Sequence, residues 1–403
     1  MTGTTTSPER ATIPADRYAT RIAAAQRIAA DQGLAALLIG VGPDLRYLTG
    51  YAAMPLERLT MLVAPAGAGV RASLVVPRLE AMPARRSPAA AAGFIDLRTW
   101  EETESAHRLV ADLVRSAASA RAGSAGGRPA SLEIGVSDSL WASHLLRLQE
   151  VLPAGFGPAS AVLRELRMVK DPEEIALLRA AGAAADRVVD AIAAGRLVGR
   201  TEADVAREVR ERLLDAGHDT ADFAIVGSGP NSASPHHEAS ERVIGAGEPI
   251  VLDIGGPLGG YGSDTTRMIW VTGGDPARGP DDGFLTAFAV LRRAQAAATA
   301  AVKPGATAES IDAAARDVIA AAGFGDLFIH RTGHGIGLEG HEDPYIISGS
   351  GLRLKAGMAF SIEPGIYREG EWGMRLEDIV VCGTDGPDVL NRSDLDLRVV
   401  AGT

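Results

Sequence analysis

VLDIGGPLGGYGSDTTRMIW, residues 251–270, reads as an apolar strand, a glycine-rich turn and a returning strand. Its two acidic residues, Asp253 and Asp264, flank the segment GGPLGGYGS, so the hairpin brings both carboxylates near one another at the centre of a sheet. A lone aspartate at a strand end is ordinarily a cap or a surface group. Two of them paired across a hairpin this apolar need a counter-charge.

Three other segments share this character: HRTGHGIGLEGHE (330–342), SIEPGIY (361–367) and MRLEDIV (374–380). Of the eight histidines in the chain, His330, His334 and His341 fall within the first of them. Gly333, Gly335 and Gly337 argue against a helix there. The segment reads as loop or twisted strand, in which His330 and His334 lie on one side. Glu363 follows the apolar AFS-I run and precedes Pro364-Gly365, which arrests strand pairing. Arg375 and Glu377, two residues apart, are expected on one face of one strand.

Asp253, Asp264, His334, Glu363 and Glu377 would repel one another if they converged without a cation. An oxygen-rich set with one imidazole suits Mn²⁺, Co²⁺ or Fe²⁺ better than a thiolate-bound structural Zn²⁺. Five such ligands are too many for one tetrahedral ion and about right for two ions sharing carboxylates.

These segments, in this order and spacing, resemble the pita-bread metallopeptidases, the family of methionine aminopeptidase, prolidase and aminopeptidase P. The likeness extends beyond the ligands. His330 lies four residues before His334 and His341 seven after it; Tyr367 lies four after Glu363 and Arg375 two before Glu377. His236 in SASPHHEAS matches a further substrate-side histidine, with His237 adjacent as its alternative. The stretch PDLRYLTGY (43–51) resembles the creatinase-like N-terminal domain of prolidases and aminopeptidase P.

The resemblance implies an α+β catalytic domain of pita-bread type over 161–403, a curved antiparallel sheet covered by helices. A smaller α/β creatinase-like domain over 1–160 precedes it. It implies a dinuclear metallopeptidase, manganese-dependent by preference, with cobalt or iron as alternatives and zinc less favoured. The bond cleaved is the one before proline, in Xaa-Pro dipeptides or at the N-terminus of Xaa-Pro-Yaa peptides. By the same resemblance Asp264 and Glu377 bridge the two ions, Asp253 holds one, and His334 with Glu363 holds the other. Glu363 doubles as proton shuttle, His330 and His341 steady the oxyanion or the substrate, and His236 lines the side that accepts proline. Arg375 orients the ligands, and the Tyr367 hydroxyl sits near a bridging carboxylate. A homodimer or larger closed oligomer is expected. Methionine aminopeptidase is disfavoured by the roughly 160 residues ahead of the catalytic part. A metal-free creatinase-type hydrolase and a non-catalytic scaffold are disfavoured by the intact ligand set. An amide hydrolase for a small non-proline metabolite stays open.

Composition sets outer limits. The chain has 403 residues, 46% hydrophobic and 23% charged, enough for two domains with sizeable cores. A net charge of -11 without any Lys/Arg-rich run argues against binding a nucleic-acid backbone. The single cysteine, Cys382, excludes an intramolecular disulfide and is expected in the core. No run approaches the roughly 20 apolar residues needed to span a bilayer, and no signal-like pattern opens the chain, so a cytoplasmic location is the simplest expectation.

Along the chain, residues 1–14 are expected to be disordered and 120–130 to form a surface loop. Helices are predicted over 17–33, 101–119, 139–152, 201–216, 283–302 and 307–322, and from Pro172 to Ile192 behind an Asp171 cap. Strands are predicted at 34–40, 58–65, 71–77, 131–137, 223–227, 249–254 and 267–272. GSGPNS (227–232) lacks the spacing and the following helix of a phosphate loop.

Overall fold

The computed structural model describes residues 12–125 and 132–403, and side chains for 12–120 and 132–403. The described chain divides into two compact units, one ending at Arg167 and the other beginning at Met168. The N-terminal unit runs α1 (Ala15–Asp31), β1 (Ala36–Gly40), α2 (Pro43–Thr49), β2 (Met61–Pro65), β3 (Ser73–Pro77), α3 (Ala81–Arg85) and α4 (Pro88–Ala91). It continues through β4 (Asp96–Trp100), α5 (Ala106–Ala125), β5 (Glu133–Val136), α6 (Ala142–Val151) and β6 (Gly155–Pro158) to α7 (Ser160–Met168).

Its six strands form one mixed sheet in the order β4-β3-β2-β1-β5-β6. The continuous apolar runs of β1, β2 and β3 are buried on both faces because helices flank the sheet. Leu38, Met61, Val63 and Val75 pack with Val110 and Val114 of α5 and Leu148 of α6. Within PDLRYLTGY, α2 ends at Gly50, which is left-handed at φ 72° and would place a Cβ 2.6 Å from the Pro88 ring. The loop expected over 120–130 is helix as far as Ala125, because Ala- and Arg-rich sequence propagates α5 beyond its expected end. The remainder of that expectation, and most of the expected disorder over 1–14, lies outside the described residues.

The second unit opens on α8 (Pro172–Ala193), whose start is doubly tied: Asp171 accepts from the Glu174 N–H, and Glu174 accepts from the Asp171 N–H, each at 2.9 Å. Next come α9 (Glu202–Asp215), β7 (Phe223–Ser228), β8 (Glu248–Leu258), β9 (Tyr261–Val271), α10 (Asp282–Ala301) and α11 (Ala308–Ala321). The remaining strands are β10 (Gly333–Gly335), β11 (Glu342–Ile346), β12 (Ala359–Ile362), β13 (Gly365–Arg368), β14 (Trp372–Arg375), β15 (Asp378–Cys382), β16 (Pro387–Val389) and β17 (Arg398–Val400). They form a sheet β17-β9-β8-β7, a sheet β11-β10-β12-β15-β16 and a ribbon β13-β14. All described pairings in this unit are antiparallel except β17 beside β9.

The β8–β9 hairpin is the spine of this unit. Eleven residues pair on each side, closed by Gly259 and Gly260, both with positive φ (62° and 90°) as a tight two-residue turn demands. Alternation along it separates two interiors. Ile250, Leu252, Ile254, Ile269 and Val271 face α8 and α9, where they meet Val188, Val189, Val205 and Val209. Val251 and Met268 face the other way, into a core of Phe284, Leu291, Ile311, Phe360, Ile366 and Cys382. Asp253, Asp264 and Thr266 share the parity of Val251 and Met268, so the polar triplet lies on that second face. Cys382 is fully buried, as expected. Among the described residues no helix is long and apolar enough to cross a membrane.

Candidate metal centre

In the hairpin Asp253 opposes Thr266 and Asp264 opposes Gly255. The two carboxylates are thus diagonal neighbours on one face. β10 brings in His334, whose Nε2 lies 3.6 Å from Asp264 Oδ2 and 3.2 Å from Glu363 Oε1. Its Nδ1–H donates to the Gly335 carbonyl at 3.1 Å, which leaves Nε2 as the atom that faces the carboxylates. Glu363 stands just beyond β12, and Glu377 between β14 and β15. Among the described residues three groups have ligand atoms within 4.8 Å of one another: Asp253–Asp264–Glu377, His334–Glu363–Glu377 and Asp264–His334–His341. Asp264, His334 and Glu377 each belong to two of them, and of these only the two carboxylates have a pair of ligand oxygens with which to bridge.

Burial sets the electrostatics. It pushes the Asp264 carboxyl well above the usual range, and the Asp253 charge adds to this. It does the same for Glu377, with Asp264 and Glu363 adding, while Asp253 is raised by burial against the opposing pull of Arg375. For Glu363, burial is outweighed by the hydrogen bond and charge of His334, which hold its carboxyl at about 2. Two oxygens of the cluster, Asp253 Oδ1 and Glu377 Oε1, are buried with no hydrogen-bond partner among the described residues. Orphaned buried carboxylate oxygens are expensive. Together with a donor set of four carboxylates and one imidazole, they fit divalent cations shared between the groups.

Arg375 and Glu377 do not lie on one strand. The chain changes partners between them: β14 pairs with β13 in the ribbon and β15 pairs with β12 in the sheet. Their side chains nevertheless meet at one neighbour, Thr266. Arg375 Nη2 is bonded to Asp253 Oδ2, and its Nε donates to Thr266 Oγ1 at 3.1 Å. Glu377 Oε2 accepts from the Thr266 hydroxyl at 2.8 Å. The Tyr367 hydroxyl meets no carboxylate among the described residues. It accepts from Arg375 Nη1 at 2.9 Å and lies 3.0 Å from His330 Nε2. Because His330 Nδ1–H donates to the Arg331 carbonyl, Nε2 is the acceptor for Tyr367. The result is a chain of contacts from Asp253 through Arg375 and Tyr367 to His330. Burial pushes the Tyr367 hydroxyl up to about 12 and His330 down, so both stay neutral near pH 7.

The His341 residue is exposed overall, but its ring stacks 3.8 Å from that of His334, and the partial burial of the imidazole with the charges of His334 and Arg331 holds it at about 4. Of the adjacent pair, His237 Nε2 is tied to Glu202 at 2.7 Å, while His236 is exposed. Glu202 is fully buried and also accepts from Ser228, Asn231 and Ser240. It thereby pins the segment that presents His236.

Thr266 and Ser361 went unread in the sequence. Ser361 Oγ accepts from the His334 N–H and donates to Glu363 Oε1, both at 3.0 Å. For Thr266 the signal was available, since it lies two residues from Asp264 along β9 and so shares its face; Ser361 lies in β12 but Glu363 just beyond it, where strand alternation gives no guide.

A model of metallopeptidase family M24 matches residues 176–384, and one of the creatinase/prolidase N-terminal domain matches 21–169. The chain belongs to metallopeptidase family M24. It is 46% identical to a probable dipeptidase PepE of Mycobacterium tuberculosis over 96% of this chain and 97% of that one. To an Xaa-Pro dipeptidase of Lactobacillus helveticus it is 35% identical, over 88% of this chain and 92% of that one. The crystal structure of dipeptidase PepE from Mycobacterium ulcerans superposes with a TM-score of 0.86 at 45% identity, covering 96% and 99% of the two chains. The two-domain M24 architecture, with its creatinase-like N-terminal domain, is thus established, and the chain is a metallopeptidase that uses divalent metal ions.

Proposed function

We propose that this chain is a dinuclear-metal Xaa-Pro dipeptidase. The observation that carries the reading is the sharing of Asp264 and Glu377 between ligand groups beside two orphaned oxygens, Asp253 Oδ1 and Glu377 Oε1. Asp264 and Glu377 would bridge the cations, Asp253 would hold one, and His334 with Glu363 the other. When bound, two divalent cations, manganese by preference, supply a polarised scissile carbonyl and a water acidified enough to attack it. Glu363, ionised at neutral pH, takes the proton of the attacking water at a carboxylate oxygen and delivers it to the leaving nitrogen. His341 is neutral; its Nδ1 accepts from Arg331 at 3.4 Å, which leaves its Nε2–H as donor to the developing oxyanion. Arg375 offsets the carboxylate charge and fixes Asp253, while Tyr367 holds the His330 ring in place. His236 lines the side that accepts the proline ring, supported by its freedom from Glu202.

Preference for proline rests on the Xaa-Pro dipeptidase among the relatives. A second reading, a dipeptidase of broader choice, is favoured by the relative named simply dipeptidase PepE. Manganese-reconstituted protein assayed on Ala-Pro, Ala-Pro-Ala and Ala-Ala separates them. Ala-Pro is expected to be cleaved fastest by at least tenfold. Equal or faster cleavage of Ala-Ala would establish the second reading, and preference for Ala-Pro-Ala would point to an aminopeptidase.

A further inference from the structure

Arg331, three residues before His334, is a cation whose one role above is a single N–H donated to His341 Nδ1, which leaves the rest of its guanidinium unassigned. Its guanidinium carbon sits 4.4 Å from the centre of the Tyr345 ring, which holds it in place. Its Nη2 lies 3.4 Å from His341 Nδ1, and the His341 ring stacks 3.8 Å from that of His334. Among the described residues no acidic side chain lies within ion-pair distance of it, although acidic groups crowd the cluster next door. Most arginines around the site are committed: Arg375 to Asp253, Arg316 to Asp312, Arg267 to Asp378. Arg331 is half-buried, fixed, and without an anion.

A dipeptide supplies that anion at a fixed distance. With the scissile carbonyl at the His334–Asp264 side of the cluster, the substrate's terminal carboxylate lies one residue further on, about 3 to 4 Å from the scissile carbon by backbone dimensions. The sequence of neighbours runs the same way, from His334 to His341 to Arg331. Resting on the dipeptidase reading above, we propose that Arg331, oriented by Tyr345, binds the C-terminal carboxylate of the substrate and so makes the enzyme select dipeptides over longer chains. A guanidinium suits the task because its planar fork can meet both carboxylate oxygens. In a tripeptide the same place would hold an uncharged amide, and the matching carboxylate would fall one residue beyond reach.

The test compares Ala-Pro with Ala-Pro amide, and Ala-Ala with Ala-Ala amide, in the wild type, Arg331→Gln and Arg331→Lys. The wild type is expected to prefer each acid over its amide by roughly 10- to 100-fold in kcat/KM, the scale of one charge-assisted bidentate contact. Arg331→Gln should lose that preference, chiefly through KM on the acids, while its metal content stays at the wild-type level. Arg331→Lys, which keeps charge but not the fork, should retain a part of it. Calorimetry adds a reading without turnover: L-proline should bind Arg331→Gln at least tenfold more weakly than wild type. Because carboxylate recognition does not depend on the proline ring, the Ala-Ala pair still reports on Arg331 if proline preference fails. Arg331→Gln that keeps the acid preference, or that loses acid and amide activity equally, overturns the proposal.

Discussion

At the scale of single residues, Glu377 and His334 answer different questions. Glu377 touches two ligand groups and carries an orphaned oxygen, so Glu377→Ala should disturb both cations. His334→Ala and Glu363→Ala should empty the same one, as metal analysis of each variant would show. His330 and His341 are expected to act on substrate: their alanine variants should keep near-normal metal content while kcat falls by roughly 100-fold, the scale of losing one electrostatic stabiliser. Metal lost in step with activity would place them among the ligands instead. His341 is the sharper test, since it lies within ligand reach of Asp264 and His334. The five candidate ligands could be picked out in the sequence because each belongs to a strand-like segment broken by glycines or charged residues. The choice between His236 and His237 was not, because it turns on Glu202, which is 35 positions from His237 in the chain.

At the scale of elements, Glu202 opens α9 and ties down the Ser228–Ser240 segment with a fully buried charge. Glu202→Leu leaves several buried donors without an acceptor and should cost about 3 kcal/mol, read from the denaturant midpoint at constant slope. The hydrogen bonds from Ser240, Ser228 and His237 overcome burial and hold this carboxyl at about 2, below its ordinary 4.5. A depressed acid stabilises the fold above its unfolded pKa. The gap between wild type and Glu202→Gln should therefore be full above pH 4.5 and shrink as pH falls toward 2. A gap that widened on acidification would contradict this. Strand reading fared unevenly for a physical reason. The central strands β1, β2, β3, β8 and β9 are continuous apolar runs, buried on both sides, and were predicted. The unpredicted β4 and β6 are the two edges of the N-terminal sheet, where DLRTW and GFGP stay largely uncovered and carry no apolar alternation. Arg375 and Glu377 were misread together because spacing cannot show that a chain changes sheets between two residues.

For the whole molecule, all five proposed ligands fall in the unit from Met168 to Thr403, and four of them come from segments after the hairpin's first strand. That unit assembles its site from strands far apart in sequence, and the carboxylates it gathers repel one another until cations offset them. Removing metal should therefore lower stability as well as activity. With metal at about 100 times its Kd, the linkage is worth about 2.7 kcal/mol for each ion, so chelated protein should melt lower by roughly 5 to 10 °C per ion lost and recover when Mn²⁺ is returned. The fold class was legible from the alternation of apolar runs and paired helices, whereas the sharing of ligands between groups emerged only from distances. The central claim is that these five residues hold two cations. Its most direct measurement is the metal content of wild type reconstituted with Mn²⁺ and freed of excess, read against protein concentration. Two ions per chain are predicted, with activity lost on chelation and restored by Mn²⁺. One ion or none per chain, with activity indifferent to chelator, would contradict the account.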